Sequence, residues 1–200
     1  MLMATSDLET RLRDALAHPG RASSDFDLNK DVSLAQGRIL RPAAVLIGIR
    51  SETQTVILTK RSAHLKHHPG QIAFPGGKQD PGDPTLTAAA LREAQEEVGL
   101  DASAVQVLGH MPAHETVTGF LMTPVIGLIH GRFEARPEIG EVSEVFEVPL
   151  AHVTDPAHFL IQSRRWQGRA RHYYTVPWGP YYIWGATGRI LRALADRMQP

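Results

Sequence analysis

Two stretches of the chain, Ala43 to Ile49 and Thr55 to Thr59, are almost continuously apolar, and the polar Ser51-Glu52-Thr53-Gln54 separates them. Short apolar runs on either side of a turn predict a β-hairpin. Upstream, Leu8, Leu12 and Leu16 recur at helical spacing, which predicts a helix capped by Thr5 or Ser6 and ending before Pro19-Gly20. Residues 20 to 40 are mixed and polar, and are expected to form an irregular connection. Residues 62 to 85 are rich in Pro, Gly and His and are expected to form a long loop, a feature uncommon without a function. A helix over Thr87 to Val98 stops at Gly99. Strands follow at Val105 to Leu108, ended by Gly109, at Leu121 to Ile129 and at Glu144 to Val148. Asp155 to Phe159 suits a short helical turn. Ile161 to Val176 suits a hairpin turning at Gln167-Gly168, and Trp184 to Met198 a closing helix. Strands mixed with helices at both ends and in the middle give an α/β or α+β sandwich.

The length, 200 residues, suits one domain. Its body is expected over 41–200, with the helix and connection of 1–40 part of it or packed on it. No apolar run approaches the ~18 residues of a membrane span, so no membrane partner is expected. The first ten residues carry acids and no apolar core of a secretory leader. The chain has no cysteine, which excludes disulfides, thiolate zinc sites and cysteine nucleophiles, and fits a reducing, cytoplasmic setting. Lys plus Arg and Asp plus Glu both number 21. A neutral chain offers nucleic acid no general attraction, so any anion site must be a local patch.

The helix over Thr87 to Val98 is unusual in its polar face. At about 100° per residue, Thr87, Ala90, Leu91, Ala94 and Val98 form one apolar stripe. Glu93, Glu96 and Glu97 gather on the adjoining face at i, i+3 and i+4, with no lysine among them. Like charges at that spacing repel. Either the face is simply solvated, or a hard divalent cation removes the repulsion; magnesium takes oxygen ligands and bridges carboxylates to substrate phosphates. Just upstream, Gly76 and Gly77 permit positive φ and close backbone approach to a ligand.

Together these segments resemble the signature of the Nudix hydrolases. Arg92-Glu93-Ala94-Gln95-Glu96-Glu97-Val98-Gly99-Leu100 matches its second half at every fixed position. The first half departs: Asp83 stands where most of the family has Glu, and the gap to Arg92 is one residue longer. Leu58-Thr59-Lys60-Arg61-Ser62, His64-Leu65-Lys66, Gly70-Gln71 and Phe74-Pro75-Gly76-Gly77 resemble the branch that cleaves coenzyme A, which shares both departures. That branch usually has arginine where Lys66 stands, and lysine lacks arginine's planar fork. Thr118-Gly119-Phe120, Pro124 to Gly127 and Ile183 to Thr187 are also similar to it.

The resemblance implies a mixed β-sheet between helices and hydrolysis of a diphosphate with Mg2+ or Mn2+. It implies Glu93 and Glu97 as main metal ligands, Glu96 as a further one, and a carbonyl of Gly76 or Gly77 completing part of the shell. Arg92 would orient the carboxylates. The general base would be a glutamate on the helix or on a later loop, with Glu141 and Glu144 the candidates; both also suit exposed positions of an edge strand. Arg61, Lys66, Gly76 and Gly77 would bind substrate. For coenzyme A or its acyl thioesters, the products would be adenosine 3′,5′-bisphosphate and (acyl-)4′-phosphopantetheine. Other readings are a Nudix hydrolase of a sugar nucleotide or dinucleotide, and a Nudix-fold binding module without turnover. A homodimer is plausible by resemblance.

Two local basic clusters bear on the substrate. Arg61, His64, Lys66, His67 and His68 would draw a polyphosphate nucleotide, although His67 and His68 also suit a plain polar loop. Arg164, Arg165, Arg169 and Arg171 lie near Trp166, Tyr173 and Tyr174. Basic residues among aromatics suggest stacking on a base; on a hairpin they equally suit a surface ladder. Trp178, Tyr181 and Tyr182 are expected to pack the last helix onto the body.

Overall fold

The computed structural model describes residues 2–32, 37–166 and 168–199. In chain order the elements are α1 (Leu2–Ala17), β1 (Ser23–Ser24), β2 (Arg41–Arg50), β3 (Thr55–Arg61), β4 (Ile72–Ala73), β5 (Gly76–Lys78) and α2 (Leu86–Val98). Then come β6 (Val105–His110), β7 (His114–Glu115), β8 (Phe120–Ile129), β9 (Val142–Pro149), α3 (Leu150–Val153), β10 (Leu160–Trp166), β11 (Arg169–Thr175) and α4 (Gly185–Arg197).

The long run at β2 is apolar throughout because both of its faces are covered. Ala44 and Leu46 pack with Ala90, Ala94 and Val98 of α2. Val45, Ile47 and Ile49 pack on the other side with Leu8 and Leu12 of α1 and Ile190, Leu191 and Leu194 of α4. A nine-stranded mixed sheet thus lies between α2 on one face and α1 with α4 on the other. β2 runs parallel to β8 along its whole length, Arg41 opposite Phe120 to Arg50 opposite Ile129.

The predicted β2–β3 hairpin forms, but its ladder is brief, with Ile49 opposite Val56 and Arg50 opposite Thr55. Beyond it the strands part. β5 pairs with β2 and β4 with β3. Residues 62–85 therefore differ from the expected loop by carrying two short strands. The glycines allow this: a Cβ on Gly76 (φ 154°) would meet the Ala44 carbonyl oxygen at 2.4 Å.

Other expectations shift locally. α1 begins at Leu2, so Thr5 and Ser6 lie inside it rather than capping it; Leu2 and Ala4 are good helix formers and extend the first turn. Gly109 does not end β6 but sits at a bulge, where the register on β8 shifts between Val107 and Gly109. The connection after α1 contains β1, parallel to β7. It is fastened there by a buried histidine: Ser23 Oγ is 2.9 Å from His114 Nδ1, and His114 Nε2 is 3.2 Å from Asp25 Oδ1. The predicted second hairpin is β10–β11, Leu160 opposite Thr175 to Trp166 opposite Arg169; of its expected turn, Gln167 lies outside the described residues.

Candidate active site

α2 starts where Thr85 Oγ1 accepts the Ala88 amide at 3.1 Å and stops at Gly99, whose left-handed conformation (φ 71°) returns its amide to Ala94 and Gln95 carbonyls. These caps fix the rotation of the helix. Ala90, Ala94 and Val98 face the sheet, and Glu97, beside that stripe, is drawn under with them to 4% exposure. Glu93 lies one turn earlier, half-buried, and Glu96 points outward with its side chain 58% exposed.

The Gly76-Gly77 backbone runs directly beneath these acids. The Gly76 amide donates to Glu97 Oε2 at 3.1 Å. A Cβ on Gly77 would stand 2.4 Å from Glu93 Oε1, so this carboxylate occupies the space that a side chain would fill. Burial pushes the Glu97 carboxyl up to about 7; the Gly76 amide and Arg61 pull it down, while Glu93 and Glu141 raise it further. Glu93 is raised for the same first reason, burial, against the pull of Arg92. Two carboxyls are thus held where ionisation needs a compensating positive charge.

Arg92 ties the acids to the loop. Its Nε and Nη2 grip Asp83 at 3.0 and 2.9 Å, Nη1 holds Glu96 at 2.9 Å, and Nη2 also reaches Glu93 Oε1 at 3.1 Å and the Lys78 carbonyl at 3.2 Å. The fork holds Asp83 well below the usual carboxylate range. Aspartate and the longer gap are mutually compensating: the 80–83 turn, closed by the Asp80 amide on Asp83 Oδ2 at 2.9 Å, presents the shorter side chain to the guanidinium.

Of the two base candidates, only Glu141 shares the field of Glu93 and Glu97. Its loop is docked on the end of α2 by backbone bonds, Arg136 amide to Val98 carbonyl at 2.9 Å and Glu138 amide to Glu97 carbonyl at 3.0 Å. The Ser62 amide in turn donates to the Glu141 carbonyl at 2.8 Å, next to Arg61. Glu144 lies on β9, opposite Lys60, and accepts the Tyr181 hydroxyl. Tyr181, expected only to pack α4, stacks on Phe146 at 3.6 Å and so closes the 176–184 segment over β9. Neither the docking bonds of the 136–141 loop nor Tyr181's role leaves a sequence signal, since the former are main-chain contacts. Lys66, His67 and His68 are exposed on the loop after Arg61.

The matching family model is the NUDIX domain, over residues 39–178. This chain belongs to the Nudix family. "Uncharacterized Nudix hydrolase NudL" of Salmonella paratyphi B and its counterpart in Salmonella newport are each 44% identical over 156 residues, 78% of this chain and 81% of theirs. A solved MutT protein from Methanosarcina mazei Go1 is similar at 20% identity and a TM-score of 0.48, covering 60% of this chain and 83% of that one. The chain is a Nudix hydrolase with the mixed-sheet fold of its family. Nudix hydrolases act on small nucleotide derivatives and generally use divalent metal ions.

The residues present fit such an ion. Among the described residues no three His, Asp or Glu side chains form a ready cage. Magnesium does not need one: it is held by one or two carboxylates with waters and substrate phosphates. Glu93 and Glu97, pressed on a side-chain-free backbone and costly to ionise alone, are hard oxygen donors of that kind. No helix among the described residues is long and apolar enough to cross a membrane.

Proposed function

We propose that this Nudix hydrolase cleaves the diphosphate of coenzyme A or its acyl thioesters, giving adenosine 3′,5′-bisphosphate and (acyl-)4′-phosphopantetheine. The observation that carries the reading is the meeting of Glu93, Glu97 and the Gly76-Gly77 backbone with Arg61 alongside, a site for a cation and a polyphosphate together. The run from Leu58 to Gly77, similar to the coenzyme A branch, supplies Arg61, Gly76 and Gly77 to that place.

Glu93 and Glu97 would hold Mg2+ or Mn2+, with Glu96 and a carbonyl of Gly76 or Gly77 as further donors. Such an ion would offset the negative charge of the diphosphate and lower the pKa of the attacking water. Arg92 keeps Glu93 and Glu96 oriented through Asp83 and the Lys78 carbonyl. Arg61 balances negative charge next to Glu97, and Lys66 on the exposed loop attracts phosphate. Glu141 is the base that takes the proton from water, since it reaches the same field as the two helix acids; Glu144 is engaged by Tyr181. Positioning and electrostatics supply most of the rate in such transfers.

Product analysis tests the reading. Coenzyme A with magnesium should yield adenosine 3′,5′-bisphosphate, a chelator should stop it, and Glu97→Gln should lose at least about a hundredfold in kcat, because an amide cannot hold the cation comparably. Equal turnover of coenzyme A and its dephospho form would argue against any contact to the 3′-phosphate and so for another nucleoside diphosphate derivative as substrate. Full activity of Glu97→Gln would overturn the metal assignment.

A further inference from the structure

The β10–β11 hairpin carries chemistry that the hydrolytic centre does not use. Residues 160–175 contain Arg164, Arg165, Arg169 and Arg171 and no acid. Arg164 stands directly opposite Arg171 in the ladder. Like charges opposed across strands are destabilising, and a ladder serving stability alone would alternate their sign.

Beside these arginines lies an aromatic group from distant parts of the chain. The Arg164 guanidinium sits 4.6 Å over the Trp184 ring. Tyr173 is tilted against Trp184 at 5.0 Å, and its hydroxyl is 3.3 Å from that of Tyr182, which is 45% exposed. Trp184 is nineteen residues or more from the hairpin's arginines at 164 and 165, and the fold brings it to Arg164. The group is linked to the end of β3: Gly185, next to Trp184, lies against the Gln71 side chain, and the Gln71 carbonyl accepts the Arg61 amide at 3.0 Å. The positive charge of Arg61 in turn acts on Glu97.

We infer that Trp184, Tyr173 and Tyr182, with Arg164, form the platform on which the nucleobase of the substrate stacks while its diphosphate lies at Glu93, Glu97 and Arg61. Aromatic faces and a planar guanidinium bind any base by its π-face, and an acid-free arginine hairpin suits the phosphates attached to it. This rests on the reading of the substrate as a nucleoside diphosphate derivative, and not on its being coenzyme A.

The test compares two non-hydrolysable probes in magnesium, α,β-methylene-ADP and methylenediphosphonate, which differ by the nucleoside. The first should quench tryptophan emission of the full chain and the second should not. Trp184→Phe keeps a ring for stacking, so it should abolish the quench yet hold the affinity for α,β-methylene-ADP within about threefold. Arg164→Ala, at an exposed position, should weaken that probe about tenfold and methylenediphosphonate less than about twofold, a difference of about 1.4 kcal/mol for the tenfold term. A quench that survives Trp184→Phe, equal weakening of both probes by Arg164→Ala, or no weakening of either would overturn the platform. Platform binding without coenzyme A hydrolysis would sink the coenzyme A reading alone; hydrolysis without a base-dependent quench would sink this inference alone.

Discussion

One guanidinium, that of Arg92, sets the geometry of the acidic helix face, because its planar fork meets Asp83, Glu93, Glu96 and the Lys78 carbonyl at once. Lysine would keep the charge and lose the fork. Arg92→Lys should therefore lower kcat by about tenfold to a hundredfold, and adding Asp83→Asn should cost little more, a non-additivity that a double-mutant cycle reads directly. Gly77→Ala tests the floor of the site. Its Cβ would collide with Glu93 Oε1, so the magnesium concentration for half activity should rise about tenfold, measured by metal titration. Glu97 gives a pH signature. Burial raises its carboxyl to about 7 from an ordinary value of 4.5, so the folded metal-free protein holds a proton that the unfolded chain releases. Stability from this group is complete at low pH and is lost as pH rises through about 7, by on the order of 2 kcal/mol. Metal-free thermal melts between pH 5 and 8 should show this fall, and Glu97→Gln should flatten it. Magnesium should restore more stability at pH 8 than at pH 5, because it takes the place of the proton.

At the scale of elements, α2 and the hairpin of β2 and β3 were legible in the chain because their determinants are local: the Thr85 cap, the Gly99 stop and the apolar runs. The acids Glu93 and Glu97 were legible for the same reason, being one turn apart on that helix. What was hidden depends on partners far away. β4 and β5 exist only because the backbone of 72–78 fills the space where β2 and β3 part. β1 exists because His114, ninety residues on, binds Ser23 and Asp25. The proposal of Glu141 over Glu144 as base rests on its charge acting on Glu93 and Glu97 from a loop docked by main-chain bonds, which no side-chain pattern announces. Two variants probe such contacts. Glu138→Pro deletes the amide that docks the loop of the proposed base on the Glu97 carbonyl, and should reduce kcat at least about tenfold with a small change in melting temperature. His114→Ala leaves the buried Ser23 hydroxyl without its partner and takes one of two from Asp25, which keeps the Val117 amide, and should cost about 2 kcal/mol in denaturant unfolding without loss of metal-dependent activity.

On the scale of the whole molecule, the sheet is a partition with different duties on its two sides. α2, with the acids, covers one face, whereas α1 and α4 cover the other and carry none of the proposed metal ligands. The family match spans residues 39–178 and so takes in α2 but neither α1 nor α4. A fragment trimmed to those limits would retain every proposed metal ligand yet strip the roof from Val45, Ile47, Ile49 and Ile126, leaving a broad oily plane in water. The recognisable portion of this enzyme is thus smaller than the portion that can stand alone, and anyone shortening it by its motif would recover aggregates.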